Sequence, residues 1–215
     1  MRTLAVIALK GGSGKTTIAT HLALAAHLRG LDTLVIDIDP QRSAENILAS
    51  RADGGPACVT TTRDKLMSAK FAAVGLKKQL LIIDTPAGSP EDVGEALVLA
   101  DYALLVVRPT LIDLSGLART LVIARRLEKP SSVVLNQAPF AREGAEPPLV
   151  KRAMRGLDYM KAPLAPVIVR ARSIYQTALE TGRSAEESQD TAAAKEIAAL
   201  WDFIEAEIMA TPADG

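Results

Sequence analysis

The sequence predicts an α/β protein built on a doubly wound, mostly parallel sheet with helices on both faces. Short runs of Val, Ile and Leu alternate with longer segments of helical spacing, several of those runs are apolar at every position, and a glycine-rich segment joins the first run to the first helix. Unbroken apolar runs suit parallel strands covered on both sides. Their alternation with helices builds βαβ units. The chain has 215 residues, which is one large domain with a full core, and no repeat, linker or low-complexity tract divides residues 1–215. Aromatics make up 3%, so Ala, Val, Leu and Ile must fill that core.

In chain order, the apolar run 4–9 predicts the first strand, and residues 16–29 a helix beginning after the glycines. Residues 33–36 form the next strand and 44–50 a short helix, followed by a weaker strand at 57–60 and a helix at 64–74. The continuous run 80–83 is a fourth strand, with a helix at 91–99 behind it. Strand 103–107, helix 113–127 and strand 133–135 follow, then a Gly-Ala-Glu-Pro-Pro loop opening a helix at 148–157, where Pro is welcome. Strand 165–169, helix 173–180 and a closing helix at 191–209 complete the pattern, and residues 211–215 are expected to fray.

Composition excludes some classes. The lone Cys58 rules out an internal disulfide and a multi-cysteine metal site, and reads as a small, partly buried hydrophobe. The N-terminal apolar run is too short for a membrane span and lacks a small-residue cleavage site, so a cytoplasmic protein is expected. The net charge is zero, yet twelve basic and five acidic residues lie between Arg119 and Arg183. A basic half permits salt-sensitive attraction to nucleic acid; solvated helix faces explain it equally well.

The chemistry sits in Lys10-Gly-Gly-Ser-Gly-Lys-Thr-Thr17. Between a strand and a helix, Gly11, Gly12, Ser13 and Gly14 can turn backbone N–H groups inward as an anion nest, to which the helix dipole adds. Lys15 then reaches the β- and γ-phosphates, and the hydroxyl of Thr16, beside Thr17, can ligate Mg²⁺. This is a P-loop, with the P-loop NTPase fold it implies. The run ending at Asp84 has the Walker B form, an apolar strand closed by one carboxylate that holds Mg²⁺ directly or through water. Asp37 and Asp39 alternate at another strand tip, where such sheets hold ligands. A structural salt bridge is the alternative for each Asp.

The motif is a variant: Leu9 stands where the ordinary pattern has Gly, and a second lysine, Lys10, opens the loop. Lys-Gly-Gly-x-Gly-Lys-Thr-Thr resembles the deviant Walker A box of the ParA/MinD family of ATPases, and Asp37-Ile-Asp39-Pro-Gln looks like that family's Asp-x-Asp-Pro-Gln box. The resemblance implies ATP and Mg²⁺ as cofactors. It also implies a nucleotide-sandwich homodimer in which Lys10 touches the partner's nucleotide, as against an ordinary exposed loop lysine. It gives Asp39 the positioning of the attacking water, Asp37 the Mg²⁺ surroundings and Asn136 a place near the adenine base, where an Asn turn is the competing reading.

The segment from Ile168 to Tyr175, with Gly182-Arg-Ser, is similar to the C-terminal part of small ParA proteins that lack an N-terminal helix-turn-helix. Such proteins segregate plasmids, chromosomes or large assemblies. Their ATP dimer binds DNA without sequence preference, and a ParB-like or other cargo-linked activator stimulates otherwise weak hydrolysis. That implies nucleoid association when ATP is bound, with Arg170 and Arg172 as first DNA-contact candidates and Arg152, Arg155 and Arg183 behind them. A MinD-like membrane ATPase would need a basic C-terminal amphipathic helix. Here the stripe Ile197, Leu200, Trp201, Ile204 and Ile208 is flanked by Glu196, Asp202, Glu205 and Glu207, so it is expected to dock on the core, with no membrane contact. Relatives serving DNA transfer or secretion, and an ATP binder without hydrolysis, are further alternatives.

Overall fold

In the computed structural model, which describes residues 1–211, the apolar runs become one sheet: β1 (Arg2–Ile7), β2 (Thr33–Asp37), β3 (Ala57–Thr60), β4 (Leu80–Asp84), β5 (Tyr102–Val107), β6 (Ser131–Ala138) and β7 (Leu164–Arg170). Among the described residues the strand order is β3-β2-β4-β1-β5-β6-β7, and every neighbouring pair is parallel. The helices are α1 (Lys15–Leu28), α2 (Ser43–Ala49), α3 (Leu66–Gly75), α4 (Pro90–Leu99), α5 (Leu111–Arg126), α6 (Pro148–Tyr159), α7 (Ile174–Thr177) and α8 (Thr191–Ala210). Of the tail expected to fray, only Thr211 is described, and its N–H caps α8 by donating to Glu207 O; residues 212–215 lie outside the described residues.

Period-two alternation divides the interior. Leu4, Val6, Ile82, Leu104 and Val106 face one cluster, which α1 and α8 cover, while Ala5, Ile7, Leu81, Ile83 and Leu105 face the other, under α4, α5 and α6. The stripe Ile197, Leu200, Trp201, Ile204 and Ile208 is buried in the first cluster, as its acidic flank led one to expect. No helix among the described residues is long and apolar enough to cross a membrane.

Two elements depart from the sequence pattern. β6 is longer than residues 133–135 and carries Asn136 inside the strand rather than after it. The helix expected at 173–180 is a single α turn followed by a 3₁₀ turn at Leu179–Thr181. It changes pitch where a long-range bond claims a carbonyl: Nε2 of the buried His21, on α1, bonds Tyr175 O at 2.9 Å. Nδ1 of His21 accepts from the Ala185 N–H at 3.3 Å, so the ring is neutral with its proton on Nε2.

Burial pushes His21 down to about 4, with the Tyr175 carbonyl acting the other way. Because the folded value lies below the ordinary 6.5, the unfolded chain binds the extra proton, and stability falls as pH drops from 6.5 toward 4. The full effect is about 3 kcal/mol. Urea unfolding at pH 7 and pH 4.5 should show His21→Gln losing less stability between the two than the native chain; an equal loss would mean that His21 is not the group titrating.

Candidate nucleotide site

The crevice lies at the C-terminal strand ends, where β1 is flanked by β4 and β5 and the chain order reverses. β1 ends at Ile7, and α1 starts at Lys15 with Gly14 as its N-cap at φ 90°. The intervening loop is stapled from β6: Asn136 Nδ2 donates to Ser13 O at 2.8 Å, and Gln137 Nε2 to Gly12 O at 3.2 Å. Those bonds occupy outward carbonyls and leave the loop's N–H groups for an anion. Lys15 is 7% exposed. Burial lowers its ammonium from the ordinary range, against the carboxylates of Asp84 and then Asp39. Lys10 is exposed at the loop's outer end, so the two lysines face different surroundings.

Asp37 and Asp84 end neighbouring strands at the same level. Asp84 is fully buried, and neither of its oxygens accepts a hydrogen bond of ordinary geometry, although the Thr16 hydroxyl sits close enough to be felt. Burial pushes its carboxyl up to about 7; Thr16 and Lys15 oppose the rise, while Asp37 and Asp39 add to it. An orphaned buried carboxylate wants a cation. With Thr16 beside it, the site fits Mg²⁺. Among the described residues no group of three or more His, Cys, Asp or Glu could hold a metal by itself. A magnesium here would therefore have to lean on nucleotide phosphates, as is usual for that ion.

Asp37 has work of its own. Its Oδ1 accepts from the Asp39 N–H (2.9 Å), and its Oδ2 from Ala44 (3.0 Å) and Glu45 (3.4 Å) at the start of α2. Burial still raises its carboxyl, against those bonds. Asp37 thus shapes the loop, and it lies beside Asp84 at the strand tips, close enough to raise that carboxyl. Asp39 is half-buried and closes a turn by accepting from the Gln41 N–H at 2.9 Å.

Beyond α1 lies a cleft of about 330 Å³ lined by Thr17, Ile18, Asn136, Arg170, Tyr175 and Gln176. Its place beside the loop suits a base. Asn136 is 4% exposed with its amide N–H₂ committed to Ser13, so its bond to the loop is the structural role on view and its oxygen is what it can offer a base. Arg170 is locked to Glu146 (2.8 Å and 2.5 Å) and to Pro139 O, and Arg172 to Glu196 (2.8 Å), with its guanidinium over Phe140. Both charges are compensated within the chain. Arg152 and Arg155 stand exposed on α6, and exposed Arg183 lies 3.5 Å from Asp53. Sequence reasoning missed Gln137, and it passed over the ion pair of Arg108 and Asp113, 2.8 Å apart just beyond β5. An arginine closing the apolar run of β5, as Asp84 closes β4, was the available signal for Arg108.

A family model described as the CobQ/CobB/MinD/ParA nucleotide binding domain matches residues 4–183. The chain belongs to this family. Maintenance of carboxysome distribution protein A of Halothiobacillus neapolitanus is 28% identical over 194 residues, covering 85% of each chain. Among solved structures, the fold is similar to an ATP complex of a substituted McdA from Cyanothece, with TM-score 0.76, 19% identity and coverage of 95% of this chain and 96% of that one. It is also similar to the cell division ATPase MinD of Pyrococcus furiosus, with TM-score 0.71, 21% identity and coverage of 95% and 98%. The matched family is a nucleotide-binding domain, and the residues around the loop fit ATP with Mg²⁺.

Proposed function

We propose that the chain is a ParA-type positioning ATPase. ATP joins two copies in a sandwich, the dimer binds DNA without sequence preference, and a ParB-like or other cargo-linked activator triggers hydrolysis and release. The cargo is a plasmid, a chromosome or a large assembly, and the carboxysome-distribution relative makes a protein assembly a natural candidate.

The observation that carries this reading is the pair of lysines: Lys15 is buried under the loop, whereas Lys10 is exposed at its rim, free to serve a neighbour's nucleotide. Lys15 and a bound Mg²⁺ neutralise phosphate oxygens, Lys10 adds charge from the partner, and Asp39 orients water. Pairing two copies doubles the phosphate contacts available to exposed basic residues, which raises DNA affinity and its salt dependence together. Arg152 and Arg155 are now the leading DNA-contact candidates, Arg183 comes next, and the paired Arg170 and Arg172 follow. The buried α8 stripe gives a membrane reading no support.

The test is DNA retention with a non-hydrolysable ATP analogue or with ADP. Retention is expected with the analogue alone and is weakened when Arg152 and Arg155 both become Glu. Lys10→Ala should keep most nucleotide affinity yet lose dimerisation, DNA retention and turnover. If it lost as much nucleotide affinity as Lys15→Ala, the partner-directed role of Lys10 would be wrong.

A further inference from the structure

The tip of β5 places a third cation against the phosphate loop. Arg108 Nε donates to Asp113 Oδ2 at 2.8 Å, and Nη2 reaches Oδ1 at 3.3 Å. Asp113 is itself fixed at the start of α5: its Oδ2 accepts from the Thr110 hydroxyl at 2.7 Å, its N–H donates to Thr110 Oγ1 at 3.2 Å, and its side chain is 1% exposed. Two of the three guanidinium nitrogens are therefore committed. The third, Nη1, has no hydrogen-bond partner among the described residues, and a methyl group built on Gly12 would lie 3.7 Å from it.

A clamp on the first turn of α5 needs only the edge of the guanidinium that faces Asp113. It gives no reason for the opposite edge to lie along the loop at Gly12, within ordinary contact distance of the point where a side chain there would begin. The fork geometry lets one arginine serve a carboxylate on one edge and a phosphate on the other. A guanidinium already held by Asp113 also loses little further freedom when it meets a second anion.

We infer that Arg108 contacts the polyphosphate of the nucleotide held in the loop, and that Asp113 is the positioning residue that aims it. This rests on the loop being the nucleotide site. Arg108 is then distinct in kind from the two lysines: it approaches the loop from β5, on a tether, and neither lies beneath the phosphates nor depends on a partner.

The experiment measures affinity of the 215-residue chain for a non-hydrolysable ATP analogue with Mg²⁺ over a series of salt concentrations, alongside thermal unfolding without nucleotide. Arg108→Gln should weaken binding roughly tenfold to a hundredfold, as loss of one charge-assisted contact does, and should flatten the salt dependence. Arg108→Lys should restore the salt dependence but only part of the affinity, because an ammonium cannot serve both anions at once. Asp113→Asn, which keeps the arginine's charge and loosens its aim, should lose affinity with the salt dependence preserved. An Arg108→Gln variant with native affinity, or with weaker affinity and an unchanged salt dependence, would make Arg108 a structural clamp and overturn the inference while leaving the loop assignment standing. Absence of nucleotide binding by the native chain would remove both.

Discussion

Replacing Lys15 with Ala should abolish measurable nucleotide binding while the fold survives. The ammonium is buried at the start of α1, close enough to Asp84 and Asp39 for both to act on it. It is thus held desolvated at the head of α1, where the proposed site would meet a phosphate. Removing one member of a buried charge pair costs about 3–5 kcal/mol, which is at least about a hundredfold in affinity. The folded chain without nucleotide tolerates the change better, because truncation also relieves the burial of a charge. Calorimetric titration with ATP and Mg²⁺, paired with circular dichroism, separates the two effects. A Lys15→Ala protein that bound ATP normally would mean that the loop does not hold phosphate.

Gly14→Ala is the second large effect, and it acts through shape rather than charge. Gly14 has φ +90°, and an added Cβ would sit 2.4 Å from Asn136 Nδ2. The backbone strain alone costs roughly 1–2 kcal/mol. The clash is worse, since Asn136 can retreat only by giving up its bond to Ser13 O, and that bond shapes the loop. Nucleotide affinity should fall by at least about tenfold. Gly30→Ala is the control: it has φ +84° but nothing within 4 Å of the added atom, so it should carry the strain and leave binding intact. Similar affinities for the two variants would show that the Asn136 contact is unimportant.

Much of this was legible in the residues themselves. The strands of the sheet centre could be read because burial on both faces writes them as unbroken apolar runs, and the loop because phosphate chemistry requires glycines and a lysine at fixed spacing. The buried α8 stripe was readable from its acidic flank. What stayed hidden depends on contacts between distant segments. Nothing near Asn136 in the chain says that its amide reaches back to Ser13, or that the ring of His21 will take the Tyr175 carbonyl and shorten a helix. Arg170 and Arg172 looked like free charge because Glu146 and Glu196, which neutralise them, are each 24 positions away. Counting charge along a segment registers its total and not its pairing.

The bonds at Asp37 carry a mechanical consequence. One carboxylate grips the Asp39 amide and the first turn of α2, the Asp37 carbonyl takes the Thr61 N–H, and Glu45 holds the Thr60 hydroxyl at the sheet's edge. The segment bearing Asp39 is thereby riveted at both ends and moves, if at all, as one plate with the outer border of the sheet. In the proposed cycle, an activator of hydrolysis would have little slack to exploit there. Its leverage would fall on the opposite flank, around exposed Lys10 and the exposed Leu111 and Ile112 at the start of α5.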